Sequence, residues 1–357
     1  MRYFFIVLIS ISVLGVNDLI GQTDPTSTES SSPFYSEKIE NFRKFVQRRL
    51  NNVEVVTEET LNQSSNSNHQ VALEKRAQGE VQVGNGDENE FEIHAAVNPT
   101  DPDNIVVAAI DFDDSSLTDL VSISVYFTID GGDTWQVSDF KGKAGLALSA
   151  GGGDPVLAFD DDGVAYMTWL VLSIDLTVQN GLWGFYAAKS LDGGLTWDLS
   201  DQPIVEEKFT DVAGFSDLQR APDKQWMTAD HSASSPYKGN IYMAYTMIQI
   251  ENAVTGDVAY QITLQKKNAD NNEFNQDSVV INRSEYALAQ FTSLDTDNSG
   301  NLYVSFLADD LDNGEQYSIM MAKSEDGGDS FDEEARVVSF NFPVIGDGDY
   351  DIEGMNS

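Results

Sequence analysis

The sequence predicts an all-β fold built from repeated antiparallel sheets. Three observations predict it: a turn motif that occurs three times, a nearly constant spacing between its copies, and a run of β-forming residues before each copy. The copies are residues 128–135 (TIDGGDTW), 190–197 (SLDGGLTW) and 324–331 (SEDGGDSF), and they share the pattern S/T-x-D-G-G-x-S/T-W/F. The Asp-Gly pair favours a tight hairpin turn, because glycine adopts positive φ without a steric cost.

The spacing of these turns predicts how the sheets are arranged. Asp130 and Asp192 are 62 residues apart, and Asp192 and Asp326 are 134 apart, which is twice 67. The missing copy falls on residues 268–274 (NADNNEF), a degenerate turn that keeps an Asp and an aromatic residue. A repeat of about 65 residues with one aromatic turn per unit is typical of the blades of a β-propeller.

The three turns resemble the Asp-box (BNR) repeats of sialidase-like β-propellers. In that family the Asp box joins the outer strands of a blade, away from the ligand face. The resemblance therefore implies a structural role for six residues: Asp130, Trp135, Asp192, Trp197, Asp326 and Phe331. It also implies six blades, whereas this sequence supplies about four and a stub near residues 346–350. We therefore expect a C-terminally incomplete propeller, with a closed four-bladed ring as the alternative.

Composition limits the classes of partner. The chain has 357 residues, 41% of them hydrophobic, and its 59 Asp and Glu outnumber 20 Lys and Arg to give a formal net charge of −39. Nucleic acid and anionic bilayers are poor partners for such a surface. Two interpretations of the acidity stay open: solubility, or binding of divalent cations. The absence of cysteine excludes disulfides and thiolate metal sites.

The N-terminal part predicts export. Residues 1–21 combine a positive start with an apolar run of 14 residues, typical of a signal peptide, and an uncleaved anchor is the alternative. Residues 22–84 form a polar linker with a short amphipathic helix at about 35–50, and residues 85–357 form the propeller. The basic face of this helix is expected to pack on the acidic propeller or, alternatively, to lie on a membrane surface. We expect a secreted, periplasmic or cell-surface protein without membrane contact after signal cleavage.

An alignment of the inner strands predicts a ring of carboxylates at one mouth of the central channel. The strands are aligned on the polar residues that end them: Asn98, Asp160, Asp230, Asp295 and Asn356. Six or seven residues upstream lie Glu92, Asp154, Asp223, Ala289 and Asp349. Such a ring could hold Ca²⁺, or supply a general acid or base because crowded carboxylates raise one another's pKa. The alternative is that each acid only caps local backbone amides. No other cofactor is required.

The family resemblance implies hydrolysis of terminal sialic acids, in which three arginines clamp the substrate carboxylate, a Tyr–Glu pair supplies the nucleophile and an Asp is the acid/base. This sequence lacks the Arg-Ile-Pro run of the first blade, and the propeller region contains three arginines: Arg220, Arg283 and Arg336. We assign Asp154 or Asp223 as the acid/base candidate and Arg220 as the clamp candidate. Further substrate-binding candidates are Glu92, Asp349, Arg283 and Tyr286.

Two functions follow for this chain. The first is action on, or recognition of, extracellular glycans or glycoproteins, with exo-α-sialidase as the hydrolytic form. The alternative is a non-catalytic propeller that binds glycan or protein. The missing arginine signature favours the alternative, and the predicted ring of acids favours the enzyme.

Overall fold

The computed structural model describes residues 81–84, 89–112, 121–140, 149–175, 180–199, 203–211, 217–252, 257–270, 274, 276–281, 286–310 and 317–340. The predicted signal peptide, the predicted helix at 35–50 and the predicted stub at 346–350 lie outside these residues and stay predictions. The described part of the chain contains no helix that is long and apolar enough to cross a membrane.

The described residues form sixteen strands in four antiparallel sheets of four strands each. Within every sheet the spatial order of the strands follows their order in the chain. The strands are β1 (Asn89–Val97), β2 (Ile105–Phe112), β3 (Val121–Thr128), β4 (Gln136–Val137), β5 (Ser149–Phe159), β6 (Ala165–Asp175), β7 (Asn180–Ser190), β8 (Val205–Phe209), β9 (Arg220–Ala229), β10 (Ile241–Asn252), β11 (Asp257–Lys267), β12 (Gln276–Ile281), β13 (Tyr286–Thr296), β14 (Leu302–Asp310), β15 (Tyr317–Ser324) and β16 (Ala335–Phe340).

The sheets, which we number 1 to 4 in chain order (β1–β4, β5–β8, β9–β12 and β13–β16), pack face to face. One apolar layer lies between sheets 1 and 2 and is centred on Trp169 and Phe159. A second lies between sheets 2 and 3 around Trp183 and Phe185, and a third lies between sheets 3 and 4 around Phe306. The first strands of consecutive sheets contact one another, β1 with β5, β5 with β9 and β9 with β13. This arrangement of meandering sheets around their first strands confirms the predicted all-β propeller fold.

Burial explains which strands were visible in the sequence. The middle strands are apolar because both of their faces are covered, and β15 alternates strictly between buried and half-buried positions. The outermost strands are harder to recognise: β4 has only two residues, both exposed, and almost all of β16 is exposed. The apolar strands of each sheet are therefore easier to predict from the sequence than β4 and β16.

Each Asp-Gly-Gly turn connects the third strand of a sheet to the fourth. In the first turn, Thr134 donates to both oxygens of Asp130, from its backbone amide at 2.9 Å and its hydroxyl at 2.6 Å. The Thr128 hydroxyl donates to the same carboxylate at 2.6 Å and accepts a bond from the Gly132 amide at 3.1 Å. These hydrogen bonds from Thr128 and Thr134 lower the pKa of Asp130 to about 2. The carboxylate thus stays ionised and closes the turn.

The turn of one sheet also docks on the preceding sheet. In sheet 2, the Gly194 carbonyl accepts a 2.6 Å hydrogen bond from the Ser138 hydroxyl of sheet 1. The Trp197 indole donates to the same hydroxyl at 3.0 Å and packs edge-on against Phe140. In sheet 4, the Gly328 carbonyl likewise accepts a 2.6 Å bond from Ser278 of sheet 3. The turns therefore join neighbouring sheets as well as neighbouring strands.

Candidate functional site

The first strand of every sheet contains a bulge at an equivalent position. At each bulge the pairing register shifts, and one residue that is not glycine adopts a left-handed conformation. These residues are Glu92 (φ 50°), Asp154 (φ 49°), Lys224 (φ 47°) and Phe291 (φ 59°). A left-handed conformation costs an L-residue about 1 kcal/mol or more, and such strain concentrates at functional sites. We call this set the bulge ring.

A fixed spacing relates the bulge ring to the strand ends. A polar residue follows each bulge residue after six positions and accepts a hydrogen bond from the backbone amide two residues later. These polar residues are Asn98, Asp160, Asp230 and Asp297.

This spacing corrects the alignment made from the sequence. Glu92 and Asp154 were placed correctly, but Lys224 and Phe291 occupy the positions assigned to Asp223 and Ala289. The positions differ because the spacing is six residues in every described sheet, and because the polar residue that follows β13 is Asp297 and not Asp295. In the described sheets the predicted ring of acids is therefore a mixed ring.

Three members of the bulge ring meet. Lys224 Nζ lies 2.7 Å from Glu92 Oε2 and 2.6 Å from Asp154 Oδ1, so one ammonium joins carboxylates from two other sheets. The exposed fractions of these side chains are 26% for Glu92, 20% for Lys224 and 6% for Asp154. Glu92 and Lys224 are accessible to a ligand, whereas Asp154 is buried and contacts Lys224.

Burial sets the protonation of this group. It raises the pKa of Glu92 to about 7, with help from a hydrogen bond and a like charge at Asp154 and against the lowering effect of Lys224. Burial alone would lower the pKa of Lys224, but Asp154 and Glu92 outweigh it and hold that pKa above its ordinary value. Lys224 is thus a permanent cation, and Glu92 exchanges its proton near neutral pH.

The raised pKa of Glu92 predicts a pH dependence of stability. The folded protein holds this proton up to about pH 7, whereas the unfolded chain releases it near 4.5. The contribution of Glu92 to stability is therefore greatest below pH 4.5 and falls as the pH rises to 7. We expect Glu92→Gln to remove this part of the slope when the free energy of unfolding is measured by urea denaturation across that window.

The matched control is Glu333→Gln, at an exposed position. This variant should keep the wild-type slope. Equal slopes in all three proteins would show that the Glu92 carboxyl titrates at its ordinary pKa.

Asp223 lies behind the ring and is fully buried. Its Oδ2 accepts a 2.5 Å hydrogen bond from Gln290 Nε2, while Oδ1 has no hydrogen-bond partner in the described structure. Burial, reinforced by the charge of Asp154, raises its pKa well above the ordinary value. Gln225 donates to the Asp154 carbonyl at 2.5 Å, and its own Oε1 is buried and unpaired. Asp223 is therefore in a position to support the ring but is not open to a substrate.

The predicted site residues Arg220 and Tyr286 contact residues outside the bulge ring. Arg220 begins β9 and forms an ion pair with Glu207 of the outer strand β8. The Tyr286 hydroxyl donates to Glu334 at 2.8 Å, and its ring packs edge-on against Phe306. Arg283 and Asp349 lie outside the described residues, so their roles stay predictions.

Two aromatic residues near the ring were missed in the sequence. Phe291 is a ring member, and its neighbour Thr292 donates a 3.1 Å hydrogen bond to the Lys224 carbonyl. Trp226 lies two residues beyond Lys224, with its ring 4.8 Å from that of His94 in an edge-on contact. The six-residue spacing from Asp297 would have identified Phe291. Nothing in the sequence indicates the contact of Trp226, because it joins sheets 1 and 3.

The predicted calcium site is not seen in the residues described. No group of three or more His, Asp or Glu side chains with the geometry of a metal site occurs among them. Lys224 Nζ lies between the two carboxylates that were expected to bind the ion. An ammonium at this position supplies the charge that a cation would otherwise provide.

Comparisons with known proteins describe the fold. No protein-family model matches the chain, and no curated protein matches it. A protein of unknown function from Dyadobacter fermentans DSM 18053 is similar in structure, with 15% identity, a TM-score of 0.50 and coverage of 72% of this chain and 71% of that one.

Two sialidases are also similar in structure, at lower TM-scores. The Hadza microbial sialidase Hz136 has 13% identity and a TM-score of 0.44, and the Trypanosoma rangeli sialidase has 14% and 0.42. This chain covers 46% and 38% of their lengths, and 68% and 70% of it are matched. At such identities the likeness concerns the fold alone.

Proposed function

We propose that this protein recognises an extracellular glycan at the bulge ring. The observation that carries the proposal is the convergence of three strained, charged residues from three sheets on one point, Glu92, Asp154 and Lys224. Local capping would not require the three side chains to meet, because each could bond to its own strand. Donors and acceptors held in fixed positions are what recognition of sugar hydroxyls needs. The signal-like N-terminus supports a secreted location. The likeness of the three turns to Asp-box repeats supports a sialidase-like propeller.

Recognition is favoured over the sialidase reaction by the arginines. A sialic acid carboxylate is clamped by guanidinium groups, and Arg220 is instead bound to Glu207. Glu92 and Asp154 also share one ammonium, with Lys224 Nζ 2.7 Å from Glu92 and 2.6 Å from Asp154, so neither carboxylate stands free as a separate nucleophile.

Glycoside hydrolysis is the second candidate, and the raised pKa of Glu92 favours it. A carboxyl group with a pKa of about 7 is suited to donate a proton to a leaving oxygen at neutral pH. In this form of the proposal Glu92 is the acid/base and Asp154 with Lys224 positions it. The exo-α-sialidase version further requires an arginine clamp that includes Arg283 or residues outside the described part.

The test of recognition is a glycan array probed with the full-length protein. Wild type and Glu333→Gln should bind the same subset of glycans, and Glu92→Gln should bind it about tenfold more weakly, since one charged hydrogen bond is lost. Binding of no glycan by protein with an intact β-sheet circular dichroism spectrum would reject the proposal. Equal binding by wild type and Glu92→Gln would place recognition elsewhere.

Hydrolysis is tested separately with fluorogenic glycosides. If Glu92 is the acid/base, Glu92→Gln should lower kcat by about 100-fold or more, and Glu333→Gln should not. Glycan binding without turnover would support recognition as the function and contradict glycoside hydrolysis.

A further inference from the structure

We propose that the ligand of the bulge ring is an uncharged saccharide whose apolar face stacks on Phe291 and Trp226 while its hydroxyls bond to Glu92 and Lys224. This inference rests on the proposed glycan recognition and names the class of glycan. It differs from what the sialidase resemblance implies, which is an anionic sugar.

The exposed aromatic residues carry the first step. The exposed fractions are 49% for Phe291 and 40% for Trp226, which are the exposed aromatic residues of the described first strands, where Ile93 and Val97 are exposed as well. Phe291 belongs to the bulge ring itself, and Trp226 lies on β9 two residues after the ring member Lys224. Pyranose rings present C–H faces and hydroxyl edges, so an aromatic surface beside fixed polar groups suits them.

Electrostatics carry the second step. Lys224 is shared between two carboxylates, so the ammonium has no charge left to balance a ligand carboxylate. Among the described residues the ring contains no other cation. The formal net charge of −39 repels anions before they reach the site. An acidic sugar would therefore lose its water without gaining an ion pair.

The test is calorimetric titration of the full-length protein with two series of probes at pH 7.5 and low salt. The neutral series contains methyl glucoside, methyl galactoside, methyl mannoside and methyl N-acetylglucosaminide. The anionic series contains methyl glucuronide and a methyl sialoside. We expect at least one neutral probe to bind at least tenfold more tightly than either anionic probe.

Variants test the stacking contact. Phe291→Ala and Trp226→Ala should each weaken the best neutral probe by about tenfold, because a half-exposed aromatic surface is lost from the contact. Phe340→Ala, on the outer strand β16, is the matched aromatic control and should bind like wild type. Circular dichroism and thermal unfolding check that each variant is folded.

The outcomes separate this inference from the proposed function. Tighter binding of an anionic probe would overturn the neutral class and leave glycan recognition intact. Unchanged affinity in folded Phe291→Ala and Trp226→Ala would overturn the stacking. Binding of no probe in either series, together with a blank glycan array, would overturn the proposed function itself.

Discussion

Replacing Lys224 with methionine should lower the free energy of unfolding by about 3 kcal/mol at pH 7.5, because removal of one partner leaves the other charges buried and uncompensated. Among the described residues, Glu92 and Asp154 form ion pairs with Lys224 alone. Without it, the carboxylates of Glu92 and Asp154, which belong to two neighbouring sheets, repel each other. The methionine side chain has a similar length, so the loss of packing is small.

The pH dependence of this loss identifies its cause. At pH 5 the Glu92 carboxyl, whose pKa is raised to about 7 by burial, carries a proton and no longer repels Asp154. The destabilisation by Lys224→Met should therefore be clearly smaller at pH 5 than at pH 7.5 in urea titrations.

The control is Lys238→Met, which removes a surface ion pair with Asp161 at 3.0 Å. Surface pairs of this kind contribute about 0–1 kcal/mol. A loss at Lys224 no larger than the loss at Lys238, or one independent of pH, would contradict the bridging role of the ammonium.

Replacing Gly194 with alanine should destabilise the protein by about 3 kcal/mol, and the same change at Gly132 should cost roughly half as much, since strain and overpacking each cost about 1–3 kcal/mol. Both glycines occupy the same position of an Asp-Gly-Gly turn, with φ of 100° and 96°. A Cβ at Gly194 would lie 2.7 Å from Val106 of sheet 1, whereas a Cβ at Gly132 meets only Trp135, at 3.8 Å. The difference between the variants thus measures how tightly the turn of sheet 2 packs on sheet 1.

Thermal and urea unfolding of both variants provide the measurement. Gly132→Ala reports the backbone strain alone, and Gly194→Ala reports the strain together with the clash. Equal losses in the two variants would mean that the turn yields without disturbing the neighbouring sheet.

The fold could be predicted from the sequence because its signals are local. The Asp-Gly-Gly turns depend on hydrogen bonds within seven residues, such as those from Thr134 to Asp130, and their spacing gives the length of each sheet. Among the outermost strands, β4 and β16 give a weak signal because their residues are almost all exposed and carry no apolar alternation. For β4 the strand consists of two residues.

The site was predictable only in part because its contacts are not local. Glu92 and Asp154 were identified by their equivalent positions, but Lys224 was missed although it lies next to Asp223. Which of two adjacent residues turns toward the axis depends on the bulge, and the bulge depends on the register with β10. The sequence also does not distinguish a buried Asp from an accessible one, which is why it offers the fully buried Asp223 as an acid/base candidate.

The docking of the sheet 2 turn on sheet 1 has a consequence for synthesis on the ribosome. Val106 and Ser138 of sheet 1 receive their covering groups from Gly194, which is translated more than fifty residues later. A newly made sheet therefore stays uncapped until its successor emerges from the exit tunnel. Translation pauses within a repeat would prolong the exposure of that apolar face and raise the risk of misassembly.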